Sequence, residues 1–93
     1  MPFETLPGGD LVEAGLRDLA SGVDSAEALL VASFAPRLRR LGVEVPAHSI
    51  PEPEHRLYGL LAASAPGSAH GRYNALVRRM ASFARALASL THA

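Results

Sequence analysis

The clearest pattern of hydrophobic and polar positions in the chain lies between Ser68 and Leu90. Apolar residues recur there at alternating steps of three and four, namely Tyr73, Leu76, Met80, Phe83, Leu87 and Leu90. Val77 and Ala84 widen this stripe, and no proline interrupts it. Such spacing places side chains on one face of an α-helix, so residues 68–90 are predicted to form a long amphipathic helix. Its length of roughly 34 Å requires partners along most of the stripe.

Three shorter helices are predicted upstream of this segment. The first covers roughly residues 11–21, because Asp10 and Glu13 have the spacing of a capping box and Gly22 follows. The second extends from a similar signal at residues 24–27 to Gly42, and the third covers residues 53–64. Pro36 interrupts the second with either a kink or a break into two helices. Because the apolar spacing continues to Leu41, one bent helix is favoured.

These elements predict an all-α protein of a single domain, residues 1–93. Residues 1–9 form a flexible leader, and residues 43–53 form a Pro-rich connection in which Val43, Val45 and Ile50 can be pinned to the core. Short connections on either side pair the helices. The expected architecture is therefore a four-helix bundle of two antiparallel helical hairpins joined by a Pro-rich crossover, with a long C-terminal helix.

Composition removes several classes of site. The chain of 93 residues contains no cysteine, which excludes disulfides, thiolate metal sites and cysteine nucleophiles. Apolar residues make up 48% of it, but no run reaches the length of about 20 residues that a membrane span requires. The N-terminal residues lack the features of a signal peptide. A cytoplasmic protein without membrane contact is expected.

Charge is balanced overall but divided between the two parts of the chain. Residues 1–54 contain all nine acidic residues and four arginines, whereas residues 55–93 contain five arginines and no acid. One interpretation is that acidic early helices pack against the basic last one. The other is that the last two helices present an anion-binding face, since arginine suits bidentate contacts with carboxylate or phosphate.

No catalytic, metal or cofactor-binding residue is predicted. A di-metal site in a helical bundle needs a Glu-x-x-His motif on each of two helices, and the chain does not have that pair. No serine lies in a Gly-x-Ser-x-Gly elbow, and no Gly-x-x-x-x-Gly-Lys phosphate loop is present.

A line of polar side chains runs along the last helix beside the apolar stripe. Asn74, Arg78, Arg85 and His92 follow one another at steps of four, seven and seven residues. These residues are a candidate interaction or anion-binding face. One alternative is that they pair with Glu13, Asp18 or Glu27, or are simply solvated. The other is that they contact a partner helix, a second copy of the chain or the phosphates of nucleic acid.

The spacing of Arg85 and His92, with six residues between them, resembles the Arg-x(4–6)-His spacing of the HEPN group of helical-bundle ribonucleases. The resemblance covers eight residues. It implies that Arg85 would steady a phosphate and that His92 would act in acid–base transfer. Ala86 departs from that pattern, in which a polar residue typically follows the arginine.

A second cluster lies where the third and fourth predicted helices meet. Gly71 and Asn74 are weak helix formers near the start of the last helix, so something other than helix propensity favours them there. A small-ligand corner is the hypothesis for His55, Arg56, His70, Tyr73 and Asn74. The alternative is a tight helix–helix corner.

Taken together, the sequence favours a non-enzymatic protein–protein interaction module, with homodimerisation through the last helix. Its apolar stripe exceeds what two short helices of 11 or 12 residues cover, and small domains often gain stability by association. The alternative is a nucleic-acid-associated module or HEPN-like ribonuclease that uses the arginine line.

Overall fold

The computed structural model describes residue 3 and residues 5–91, with the side chain of residue 91 left out. The described chain forms five α-helices and contains no strand. They are α1 (Gly9–Ala20), α2 (Ala26–Ser33), α3 (Ala35–Arg40), α4 (Pro53–Ser64) and α5 (Ala69–Thr91), with a 3-10 turn at Pro66–Ser68 before α5. The all-α prediction is confirmed. None of these helices is long and apolar enough to cross a membrane.

Pro36 divides the second predicted helix into α2 and α3, so the preference for one bent helix was wrong. Phe34 separates the two helices, and Pro36 lies in the first turn of α3. Proline has no amide hydrogen and its ring clashes with the carbonyl four residues earlier, which ends a helix that precedes it. The apolar spacing in the sequence continues across the break, and Leu38 of α3 is accordingly fully buried.

The first helix begins two residues before the predicted start. Gly8, with a φ of 73°, occupies the N-cap position and has no side chain with which to cap the helix. A Cβ atom at this residue would lie 2.7 Å from the carbonyl oxygen of Arg79. The left-handed conformation and this close approach both require glycine. Asp10 therefore lies in the first turn of α1 and is not its cap.

The α2 helix is the central element of the core. It packs against α1, α4 and α5. Consecutive residues from Ala28 to Ala32 are buried, so its apolar surface extends around the whole helix. Its start is capped by Ser25, whose hydroxyl accepts a hydrogen bond from the Ala28 amide at 3.1 Å.

The apolar stripe of α5 is largely covered within one chain. Met80, Phe83, Ala84 and Leu87 are buried, whereas Leu90 remains 54% exposed. The ring of Phe3 packs edge-on against Phe83, with ring centroids 5.3 Å apart. The stripe that is available to a partner is therefore confined to its C-terminal end.

The connection between α3 and α4 is attached to the core, as predicted. Val43 and Val45 are buried and Ile50 is partly buried. The guanidinium of Arg39 donates a hydrogen bond to the Val45 carbonyl at 3.2 Å. Both ring nitrogens of His48 are buried and have no hydrogen-bond partner among the described residues.

Candidate functional site

The polar line on α5 faces away from the core. Arg78 and Arg85 are exposed, and Asn74 is partly buried. The Nη2 atom of Arg85 lies 3.4 Å from the Ser82 hydroxyl oxygen, to which it donates a long hydrogen bond. His92, the fourth member of the predicted line, lies outside the described residues. The HEPN-like spacing of Arg85 and His92 is therefore untested by this geometry.

The acidic residues that were candidate partners of this line do not pair with it in the described chain. The carboxylate of Glu13 accepts a hydrogen bond from the Phe3 amide at 3.1 Å, and that of Asp18 accepts one from the Ser25 hydroxyl at 2.6 Å. No described ion pair joins Arg78 or Arg85 to a carboxylate. The positive charge of these two guanidinium groups is thus not offset by a neighbouring carboxylate among the described residues.

One arginine that the sequence analysis did not single out does form an ion pair with α1. Nη2 of Arg79 donates to the Asp10 carboxylate at 2.8 Å. The hydrogen bond from Arg79, followed by its positive charge, holds the pKa of Asp10 below its usual value of 3.8. Both side chains are exposed, so this pair contributes little to stability.

A shallow cleft of about 490 Å³ opens beside this ion pair. It is lined by Pro7, Gly8, Ala75, Arg78, Arg79 and Ser82. The close packing of Gly8 on the Arg79 carbonyl forms one wall, and α5 forms the other. The lining side chains provide two guanidinium groups and one hydroxyl, with no acidic residue among them. This chemistry suits an anion.

The predicted small-ligand corner forms in part. Nδ2 of Asn74 lies 3.1 Å from Nε2 of His70, within hydrogen-bonding distance. The ring of Tyr58 packs against the rings of His70 and Tyr73, with centroid distances of 6.4 and 5.6 Å. Tyr58 was not among the residues predicted for this corner. Tyr58 directly follows the buried Leu57, and this position in the sequence does not indicate that its ring meets the rings of another helix.

The other two corner residues have no described contact with this cluster. The guanidinium of Arg56 donates to the carboxylate of Asp24 at 3.0 Å, an ion pair that joins α4 to the turn between α1 and α2. His55 is exposed. The corner therefore combines His70, Tyr73 and Asn74 with Tyr58.

A larger cleft of about 640 Å³ lies at the C-terminal end of α5. It is lined by Phe3, Leu16, Leu41, Gly42, Val43, Glu44, Leu87 and Leu90, and it is called the apolar cleft below. These residues come from four separate parts of the chain, which is why no local sequence pattern indicated the cleft. Its side chains are apolar except for Glu44, while the backbone and the Glu44 carboxylate give the cleft a polar surface as well. The apolar part of this lining suits an apolar side chain of a partner.

Neither a metal site nor a known relative indicates what these surfaces bind. Within the described residues, no group of three histidine, aspartate or glutamate side chains is placed to hold a metal ion. Comparisons of the chain with protein-family models, curated proteins and solved structures give no significant match. The chemistry of the two clefts is the remaining guide to function.

Proposed function

We propose that this protein is a non-enzymatic interaction module that forms a homodimer through the apolar cleft. The supporting observation is the position of Leu90, which lines the cleft and is 54% exposed. An apolar side chain that protrudes beside an apolar recess is a self-complementary surface. In a two-fold symmetric dimer, each Leu90 enters the recess of the other copy.

Charge at the edge of the cleft favours a second copy as the occupant. Glu44 lines the cleft, and Arg40 directly precedes the lining residue Leu41. Arg40 is exposed and has no ion pair within the described chain. A two-fold axis that brings Leu90 into the opposite recess also allows each Arg40 to approach the partner's Glu44. Such pairing adds orientation more than affinity.

The antiparallel arrangement of the helices is part of the same proposal. Five residues connect α1 to α2, and four residues connect α4 to α5. Each pair is in direct contact. Short connections between contacting helices favour antiparallel hairpins. The two hairpins and their Pro-rich crossover would then form a bundle in which α3 is a short additional helix after α2.

A small interface implies weak association. The exposed part of the stripe is one leucine and the walls of one cleft, well below the area of a permanent dimer. We expect a dissociation constant on the order of micromolar or weaker.

Light scattering over a hundredfold range of concentration tests this dimer. The wild type is expected to shift from monomer to dimer. Leu90→Glu places a charge at the centre of the interface and is expected to give a folded monomer at all concentrations. Met80 and Leu87 are unsuitable for this test, because both are buried within the chain and a glutamate there would unfold it.

Leu60→Glu is the matched control. Leu60 is 43% exposed on α4 and does not line the cleft, so this variant is expected to dimerise like the wild type. A wild type that remains monomeric throughout the range would refute the proposal. Equal loss of dimer in both variants would also refute it. Recovery of dimer in Arg40→Glu/Glu44→Arg, relative to either single change, would support the charge pairing.

A further inference from the structure

The solvent face of α5 carries a continuous ridge of polar and cationic side chains. His70, Asn74, Arg78, Ser82 and Arg85 follow one another at steps of four, four, four and three residues, which is one row on a helix surface. Hydrogen-bonding contacts link its first two members at 3.1 Å and its last two at 3.4 Å. Tyr58 adjoins the ridge through its ring contact with His70.

We propose that this ridge binds a short single strand of nucleic acid. Arg78 and Arg85 contact phosphates, with the first of these phosphates lying in the cleft that Arg78, Arg79 and Ser82 line. A base stacks on the exposed ring of Tyr58. A positive surface beside an aromatic ring is the combination that single-strand binding requires, because phosphates supply charge and bases supply flat faces.

The charge of α5 supports an anionic ligand. The helix contains four arginines and no acidic residue. An ordinary exposed helix intersperses both signs, so that neighbouring charges form pairs one turn apart. On α5, Arg79 alone has a carboxylate partner among the described residues. The single-sign face is local, since the whole chain has a formal net charge of zero.

The spacing of the arginines suits a strand. Arg78 and Arg85 are seven residues apart, a separation of about 10 Å along the helix axis. Phosphates in a stacked strand rise about 3.4 Å per nucleotide, so the two guanidinium groups lie about three nucleotide steps apart. Ser82 and Ala81 lie between them and are small, which lets the strand approach the helix backbone.

The aromatic end of the ridge favours nucleic acid over other polyanions. Tyr58 is 38% exposed, and its ring contacts that of Tyr73 in a tilted arrangement at a centroid distance of 5.6 Å. Lipid headgroups have no flat face to stack on it, and a sugar ring offers only its C–H face, whereas a base offers an aromatic plane. Binding that depends on both the arginines and this ring therefore favours nucleic acid.

Fluorescence anisotropy with a labelled oligouridylate and oligothymidylate of ten nucleotides tests the proposal. Two phosphate contacts predict that the logarithm of the binding constant falls with the logarithm of salt concentration with a slope near −1.4. That slope corresponds to about sevenfold weaker binding at 200 mM than at 50 mM salt. Arg78→Gln/Arg85→Gln is expected to remove most of this binding and flatten the slope.

Arg17→Gln/Arg37→Gln is the matched control, because it removes the same charge from exposed arginines of α1 and α3. Its binding is expected to equal that of the wild type. Tyr58→Leu, which keeps an apolar side chain, is expected to weaken binding about fivefold or more through lost stacking. Leu90→Glu should bind as the wild type does, which keeps this test separate from the dimer.

Three outcomes with the oligonucleotides would overturn the proposal. They are no binding of either oligonucleotide at 50 mM salt, equal losses in the two double variants, and an unchanged affinity in Tyr58→Leu. Tight binding of anionic phospholipid vesicles that does not depend on Tyr58 would assign the ridge to a membrane surface and would equally refute it. Circular dichroism of each variant establishes that the helices remain folded.

Discussion

Two helix pairs that are joined by short connections, α1–α2 and α4–α5, differ in where their glycines lie. In the first pair, α1 and α2, a Cβ atom at Gly15 would lie 2.4 Å from Cγ2 of Val31 and 2.5 Å from the carbonyl oxygen of Glu27. In the second pair, α4 and α5, Cβ atoms at Gly59 and Gly71 would meet nothing within 4 Å. Glycine therefore permits the close contact of α1 with α2, whereas Gly59 and Gly71 are exposed and lie outside the contact between α4 and α5.

The two pairs also differ in which residues they expose. The first pair contains α2, which is buried on every side. The second pair exposes Tyr58 and Leu60 on α4 and the ridge of α5. Close packing of α1 against α2 stabilises the core, while the exposed residues of α4 and α5 are available for contact with other molecules. Replacement of glycine by alanine should therefore lower stability in the first pair and raise it in the second.

The largest effect is expected for Gly15→Ala. The new methyl group would collide with backbone as well as with Val31, so α1 and α2 would have to separate along their contact. Overpacking of this kind costs about 3 kcal/mol. Urea unfolding followed by circular dichroism measures the loss as a lower midpoint. A stability equal to the wild type would show that the two helices do not approach as closely as described.

The connection between the two pairs gives the next effect, with the opposite sign. His48 has two buried ring nitrogens without a described partner, and leaving such groups unpaired costs about 1–3 kcal/mol. His48→Leu, a residue of similar size, is expected to stabilise the protein by about 1.5 kcal/mol. The same urea midpoint measures the gain.

His55→Leu is the control for that substitution. This histidine is exposed, so the change should alter the free energy of unfolding by no more than about 0.5 kcal/mol. A loss of stability in His48→Leu would indicate that the imidazole makes polar contacts, in which case its role is to hold the Pro-rich connection in place.

A smaller gain is expected for Gly59→Ala in the second pair. The glycine lies inside α4, where its flexible backbone is unfavourable and the space for a methyl group is open. Replacement by alanine should stabilise the helix by about 0.8 kcal/mol. Thermal unfolding monitored by circular dichroism measures this change. Gly15→Ala and Gly59→Ala differ only in position, so opposite signs for the pair would establish the contrast directly.

The sequence predicted the helices better than it predicted their contacts. Apolar spacing and the positions of prolines located α4 with its observed bounds and α5 to within one residue, because both are local signals in the sequence. The break at Phe34 was predicted only as the alternative to one bent helix, since the apolar period hides a loss of backbone hydrogen bonding at Pro36. Gly15 was predicted only as part of a helix, because its contact with Val31 depends on a second helix.

The candidate sites show the same limit. The line of Asn74, Arg78 and Arg85 could be predicted, because residues at helical spacing share a face wherever the helix packs. The pairing of Arg79 with Asp10 could not, since it joins residues 69 positions apart. The apolar cleft was also beyond prediction, because its walls come from segments that only the folded chain brings together.

The smallest expected effect concerns the exposed ion pair between Arg79 of α5 and Asp10 of α1. Arg79 lowers the pKa of Asp10 below 3.8, so the pair is complete above that pH and is lost as pH falls through the lowered pKa. NMR titration of the Asp10 carboxyl should show this low pKa, and Arg79→Gln should return it towards 3.8. Arg78→Gln is the control and should leave it unchanged. Because the pair is exposed, neither variant should alter the unfolding midpoint appreciably at neutral pH. A marked loss of stability in Arg79→Gln would mean that the two helix pairs are joined mainly by charge, and not by the buried surfaces of α2 and α5.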